Sequence, residues 1–379
     1  MNNSNDSSRK KSVVFIQLTG GNDALNTIIP YNNDLYHDNR PTVAFNRDNV
    51  LELDDQLAMN PAMTPLKRLW DEGKVAVING IGYPNPNRSH FRSMDIWHTA
   101  EPDKVLNEGW LGKTVRDLDP SGENVLTAVN LGRGLPRALS AQGVPVASVG
   151  DLATYGLYPD IKDDTVRNET LAMFSQMYGG GSKSTIKEFI HQTGQGVLKG
   201  ADILSEAPRK YSSDIEYGDN SLARTMRDAA QVMFADLGTQ IFYTQQGSYD
   251  HHSGEVPTHT RLIGDLSTAI SDFMDDMKAH DHDKDAVIVV FSEFGRRIKD
   301  NGSGTDHGSG GVAFVIGGSV QGGFYGEHPS LKPADQLDGD MRFNNDFRGM
   351  YSELLEDWLK LDAKPIVNGT FEKLNFIRS

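Results

Sequence analysis

Residues Ala286–Gly318, AVIVVFSEFGRRIKDNGSGTDHGSGGVAFVIGG, decide the fold class of this chain. The opening run, Ala286–Phe291, is apolar at every position and rich in β-branched side chains. A run apolar on both faces suits a strand covered on both sides, as in a parallel sheet between helix layers. Polar residues crowd the point where it ends: Ser292, Glu293, Arg296 and Arg297. A Gly-rich loop bearing Thr305, Asp306, His307 and Gly308 follows, and then a second apolar run, Gly311–Ile316. Ligands of open α/β sheets bind outside the carboxyl ends of the strands. A carboxylate, two guanidiniums and an Asp-His pair at that edge therefore mark a candidate site.

Working outward, Ser12–Leu18, Lys74–Gly82 and the shorter Gln240–Thr244 read as further strands. Each also runs into polar residues. The first is followed by Gly20, Gly21, Asn22 and Asp23, and the second by Arg88, Ser89 and His90 ahead of an amphipathic helix, Phe91–His98. The third leads to Asp250 and His252, with His259 farther on. Plain structural readings exist for these residues. Asn22 and Asp23 can shape a turn, and Ser89 sits where a helix N-cap belongs. A hydroxyl at a helix N-terminus also lies at the positive end of the dipole, which favours an alkoxide or a bound anion.

Periodicity predicts helices over Pro61–Glu72, Ser221–Leu237, Arg261–Lys278 and Met350–Leu359. Residues 1–11 read as a disordered lead-in, and 12–379 as one α/β domain. Within it, 151–222 reads as a helical insertion or lid, with helical pieces at Asp164–Tyr178 and Lys187–Leu204.

Composition removes several function classes. With 52 Asp and Glu against 37 Lys and Arg, the net charge is −15, which repels nucleic acid and anionic membranes. There is no Cys, so disulfides, thiolate catalysis and zinc–thiolate sites are excluded. No run is long and apolar enough to cross a bilayer, and the first residues lack a signal peptide's apolar core. A cytoplasmic protein and one whose leader has been removed both fit.

Imidazole and carboxylate together suit zinc, manganese or iron, whereas all-oxygen sets suit magnesium or calcium. In an extended strand end, Asp250 and His252 point to one side. The residues divide into two half-sites: Asp250, His252 and His307 for one metal, and Asp23 with Glu293 for another, approached by the Ser89 hydroxyl. Two such cations stabilise both oxygens of an in-line displacement. Arg296 or Arg88 is expected to clamp a tetrahedral anion, Asp306 to orient His307, and His90 or His259 to act as acid or base. His191, His280 and His282 read as structural or solvated.

The motifs GGNDALN at Gly20–Asn26, GYPNPNRSHF at Gly82–Phe91, Tyr249–His252, SEFGR at Ser292–Arg296 and TDHG at Thr305–Gly308 resemble a bacterial family of uncharacterised proteins. Its members usually carry a twin-arginine export leader, and it is placed in the alkaline phosphatase and sulfatase superfamily. The resemblance implies a doubly wound, mostly parallel sheet with helices on both faces and a metal site at the strand ends. Carried over, it makes Ser89 the nucleophile and Asp23, Asp250, His252, Glu293 and His307 the metal ligands. It departs at Glu293-Phe294, where the phosphatases have Asp-His, which puts the second metal in doubt. The expected cofactors are one or two divalent ions, zinc foremost, with manganese or calcium as alternatives. The expected activity is hydrolysis of a small anionic or glycan ester of phosphate or sulfate by an exported, periplasmic or secreted protein. The alternative is a non-catalytic anion- or glycan-binding protein on the same scaffold. Metal-free acyl-ester hydrolysis is disfavoured, because no Gly-X-Ser-X-Gly elbow is present.

Overall fold

The computed structural model describes residues 9–152 and 203–378, with isolated positions between them. In chain order the principal strands are β1 (Ser12–Leu18), β2 (Val75–Gly82), β3 (Ala128–Leu131), β4 (Ala147–Val149) and β5 (Ile241–Gln246). They continue as β6 (Ala286–Ser292), β7 (Arg296–Asp300), β8 (Thr305–His307), β9 (Gly311–Ile316) and β10 (Gly323–Tyr325). The central sheet has the order β10-β2-β9-β6-β1-β5-β3-β4, and a short strand at Asn345–Asp346 also joins β2. Neighbours pair in parallel except at β9, which runs against both β2 and β6. β7 and β8 form a separate hairpin.

Helices cover both faces. They are α1 (Thr64–Asp71), α2 (His90–Thr99), α3 (Trp110–Leu118), α4 (Ser221–Phe234), α5 (Glu255–Ala279) and α6 (Phe347–Glu353). Alternate side chains of β1 enter different cores. Val14, Ile16 and Leu18 pack with Leu66 of α1, Met226 of α4 and Phe273 of α5. Val13 and Phe15 pack with Trp97 of α2, Trp110 of α3 and Tyr351 of α6. With two apolar layers to satisfy, a central strand has no solvent face, which is why β1 and β6 read as unbroken apolar runs. Each such side chain stabilises the fold by about 1.5–3 kcal/mol on full burial.

α5 starts at Glu255, ahead of the expected Arg261. Gly254, at φ +58°, turns the chain into it, and Pro257 falls in the first turn, where a missing N–H breaks no helical bond. At the other end of the chain, α6 passes into a π-helical turn, Leu354–Trp358. Arg9 and Lys11, read as lead-in, are held by Asp285 at 3.1 and 3.0 Å. The helices expected at Asp164–Tyr178 and Lys187–Leu204 fall in good part outside the described residues. Among the described residues, no helix is long and apolar enough to cross a membrane.

Candidate metal centre

The carboxyl ends of β1, β2, β5 and β6 share one edge of the sheet, and antiparallel β9 presents its start there. This is how His307, four residues ahead of β9, reaches residues that follow parallel strands. Gly20 has φ +121°, and a Cβ on it would stand 2.8 Å from the Tyr249 carbonyl carbon. Glycine thus lets the turn after β1 press against the loop carrying Asp250.

Three imidazoles meet one carboxylate at this edge. Asp250 Oδ1 lies 3.0 Å from Nε2 of both His252 and His307, and those two nitrogens are 3.1 Å apart. His90 Nε2 lies 3.4 Å from Asp250 Oδ2 and is buried without a hydrogen-bond partner. The other nitrogen of each ring has a partner. His90 Nδ1 meets Glu293 Oε1 at 2.8 Å, His252 Nδ1 meets Asp306 Oδ1 at 3.0 Å, and His307 Nδ1 meets the Arg88 carbonyl at 2.9 Å. Carbonyl and carboxylate oxygens only accept, so in a neutral ring whose Nε2 faces a cation the proton sits on Nδ1 and Nε2 keeps its lone pair.

Lone pairs facing one another and a carboxylate repel unless a cation lies among them. Donors around a tetrahedral zinc stand about 3.3 Å apart at ordinary bond lengths, close to the four separations given above. His90, Asp250 and His307 offer atoms all within 4.8 Å of one another, within reach of one ion. Outer partners that set ring tautomers are the usual support of such ligands. Phe294 packs 5.0 Å from the His90 ring and 4.9 Å from that of His307, giving the centre an apolar wall.

Burial alone would raise the Asp250 carboxyl, but the hydrogen bond and charge of Arg296 hold it well below the usual carboxylate range. It is therefore an anion. The Glu293 hydrogen bond raises His90 above its ordinary value.

Several residues take places other than those expected. Arg296 is 1% exposed. Its Nε donates to the Gly21 carbonyl and its Nη1 to that of Thr305, while Nη2 meets the Gly20 and Tyr249 carbonyls and Asp250 Oδ1. Engaged through all three nitrogens, it ties three loops together and orients Asp250 instead of clamping an anion. Arg88 is likewise engaged, by Asp340 at 2.9 and 2.7 Å.

Asp23 and Glu293 do not form a second half-site. Glu293 accepts from the Gly20 N–H and the Ser292 hydroxyl besides meeting His90, so both its oxygens are engaged. Asp23, 2% exposed, pairs through both oxygens with Arg40 at 2.5 and 3.0 Å. Burial would raise its carboxyl, but Arg40 holds it well below the usual range. Arg40 also donates to the carbonyls of Ile298 and Arg297, bracing the hairpin that ends at His307.

Glu255 joins this interior network. Burial and the neighbouring Asp23 push its carboxyl up, and it accepts from the Thr305 hydroxyl at 2.6 Å. His259 is 1% exposed, lies 3.0 Å from Asn22 Oδ1, and is pushed down to about 4 by burial. It is a neutral interior group, removed from any acid–base role at an open site. Replacing Asp23 by Ala leaves Arg40 charged and unpaired, with an expected loss of about 3–5 kcal/mol of stability. Chemical denaturation should show that loss while elemental analysis shows unchanged metal content. Loss of metal at unchanged stability would return Asp23 to the ligand set.

Ser89 is the N-cap of α2 and is exposed, yet its hydroxyl makes no capping hydrogen bond. Its N–H donates to Asn87 Oδ1 and its carbonyl accepts from the Ser93 N–H. The backbone is set and the hydroxyl is left open. α2 itself is pinned to the end of β6, because Ser93 Oγ and Trp97 Nε1 both donate to the Glu293 carbonyl.

Fold and centre together define an α/β protein with an imidazole–carboxylate cluster at the carboxyl edge of a mostly parallel sheet. Residues 10–341 match the family described as "Protein of unknown function (DUF1501)", and the chain belongs to that family. No curated protein matches the sequence. Among solved structures, the chain is similar to the lipoteichoic acid synthase LtaP of Listeria monocytogenes, with a TM-score of 0.42 and 8% identity over 96% of this chain and 75% of that one. It is also similar to the PsFucS1 sulfatase of Pseudoalteromonas sp., with a TM-score of 0.43 and 12% identity over 97% and 71%. A third is the alkaline phosphatase of the Antarctic bacterium TAB5, with a TM-score of 0.33 and 12% identity over 82% and 93%.

Proposed function

We propose that this protein is a metal-dependent hydrolase of phosphate or sulfate esters. One divalent ion would be held by His90, Asp250, His252 and His307, with Ser89 as the nucleophile. The observation that carries the reading is the convergence of three Nε2 lone pairs on one anionic carboxylate, next in sequence to an open hydroxyl at a helix N-terminus. Nitrogen donors favour zinc, with manganese as the alternative, over calcium. His90, expected as an acid or base, falls among the ligands through its Nε2.

A bound ion would polarise an ester oxygen and favour ionisation of a neighbouring hydroxyl. The chain supplies the rest. Ser89 Oγ attacks phosphorus or sulfur, its proton passes through solvent to the departing alkoxide, which leaves as the alcohol, and water later cleaves the Ser89 ester, returning a proton to Oγ and releasing the acid. Free N–H groups at the start of α2 favour the anionic group being transferred. Arg296 holds Asp250, while Glu293, Asp306 and the Arg88 carbonyl hold the three rings. The family resemblance favours an exported protein.

A second reading, a binding protein without turnover, draws on one observation: Asp23 and Glu293 are engaged elsewhere, so only one of two expected half-sites assembles. Elemental analysis combined with assays on 4-nitrophenyl phosphate and 4-nitrophenyl sulfate separates the two. About one metal per chain with turnover supports the hydrolase. Inert protein that still binds anions, loaded or metal-free, supports the binder, and protein that takes up no metal removes the hydrolase.

A further inference from the structure

A cavity of about 330 Å³ adjoins the metal centre, and His90 and Glu293 belong to both. One wall is a stripe of α2: His90, Phe91, Met94, Asp95 and His98. These positions are one turn and two turns apart, so they share one side of the helix. Gln17 and Thr19 at the end of β1 and Arg137 make up the remainder.

Two features of this cavity have no role in the chemistry above. Phe91 is 91% exposed, directly after His90 in the chain. An aromatic ring left in water at the mouth of a cavity gains by covering its faces. The charged groups, in turn, are already paired. His98 Nε2 meets Gln17 Oε1 at 2.9 Å and the Tyr243 hydroxyl at 3.0 Å. Burial pushes His98 down to about 4, so it is neutral. Arg137 pairs with Asp95 at 2.6 Å, and Glu293 is closed by His90, Gly20 and Ser292.

We propose that this cavity is the subsite for the alcohol half of the ester, and that it selects an uncharged aromatic or bulky apolar alcohol. The leaving-group role rests on the hydrolase reading above; the binding preference does not. The charged side chains here, Asp95, Arg137 and Glu293, are already paired, so a charged group entering the cavity would be dehydrated with little compensation. A flat apolar group covers Phe91 and Met94 and shields His90 from water. The volume is that of a small-molecule site, too little for a docked protein segment.

The test uses 2-naphthol, a neutral aromatic alcohol, with the full chain. Calorimetry is expected to show saturable one-to-one binding, weakened about tenfold by Phe91→Ser and by Met94→Ser as one covered apolar face is lost. Chelator-treated protein is expected to bind it as well as untreated protein does. In turnover, the preference for 2-naphthyl phosphate over ethyl phosphate, as a ratio of kcat/KM, is expected to fall about tenfold in the same variants. Absent naphthol binding, or binding unchanged in both variants, overturns the subsite whatever the turnover shows. Naphthol binding that the variants weaken, in a protein without esterase activity, keeps the subsite and removes the hydrolase reading instead.

Discussion

Asp250→Ala is expected to empty the centre of metal and to cut ester turnover by at least about 10³-fold. Asp250 is the one carboxylate that all three Nε2 atoms face, and Arg296 keeps it ionised. Without it, a cation would meet neutral nitrogens beside a buried guanidinium, which repels it. The side chain is half-exposed and buried Arg296 keeps four backbone carbonyl partners, so the fold should persist. Elemental analysis should then read near zero metal per chain, the 4-nitrophenyl ester rate should fall with it, and the unfolding transition should stay cooperative. Full metal occupancy in this variant would mean that the ion sits elsewhere.

Ser89→Ala should separate metal binding from chemistry. The hydroxyl accepts no helix N–H and lies outside the cluster of donors, so metal content and stability should match the parent protein. Turnover should fall by about 10³- to 10⁶-fold, the range typical of losing a nucleophile. Unchanged turnover would show that the attacking oxygen comes from another source, such as water. The two variants together form a clean contrast, one losing metal and rate, the other rate alone.

Much of this arrangement is readable from single segments. Ala286–Phe291 and Ser12–Leu18 show their place between two helix layers because every side chain is apolar. The polar residues after β1, β2, β5 and β6 are visible as candidates because a strand's carboxyl end is where an α/β sheet binds ligands. Residue chemistry alone groups Asp250, His252 and His307, and the structure brings those three side chains together. His90 reads in sequence as an acid or base. The direction of its ring follows from the first turn of α2 and from Glu293, 203 positions away in sequence. Arg40 drew no notice, since a single arginine in a polar stretch carries no periodic signal. Its contacts to Asp23 and to Arg297 and Ile298 exist only once the chain has folded back on itself.

Sequence by itself determined the layered α/β class, the location of most strands and the edge where the chemistry gathers. These follow from hydrophobic period and strand-end composition, which are local properties. Tertiary structure decided which polar groups are free and which are spent. Asp23 and Asp250 are both acids just beyond a strand end, yet one is sealed against Arg40 and the other faces three imidazoles. The difference lies in which distant donors reach each carboxylate first, and no local pattern carries that information.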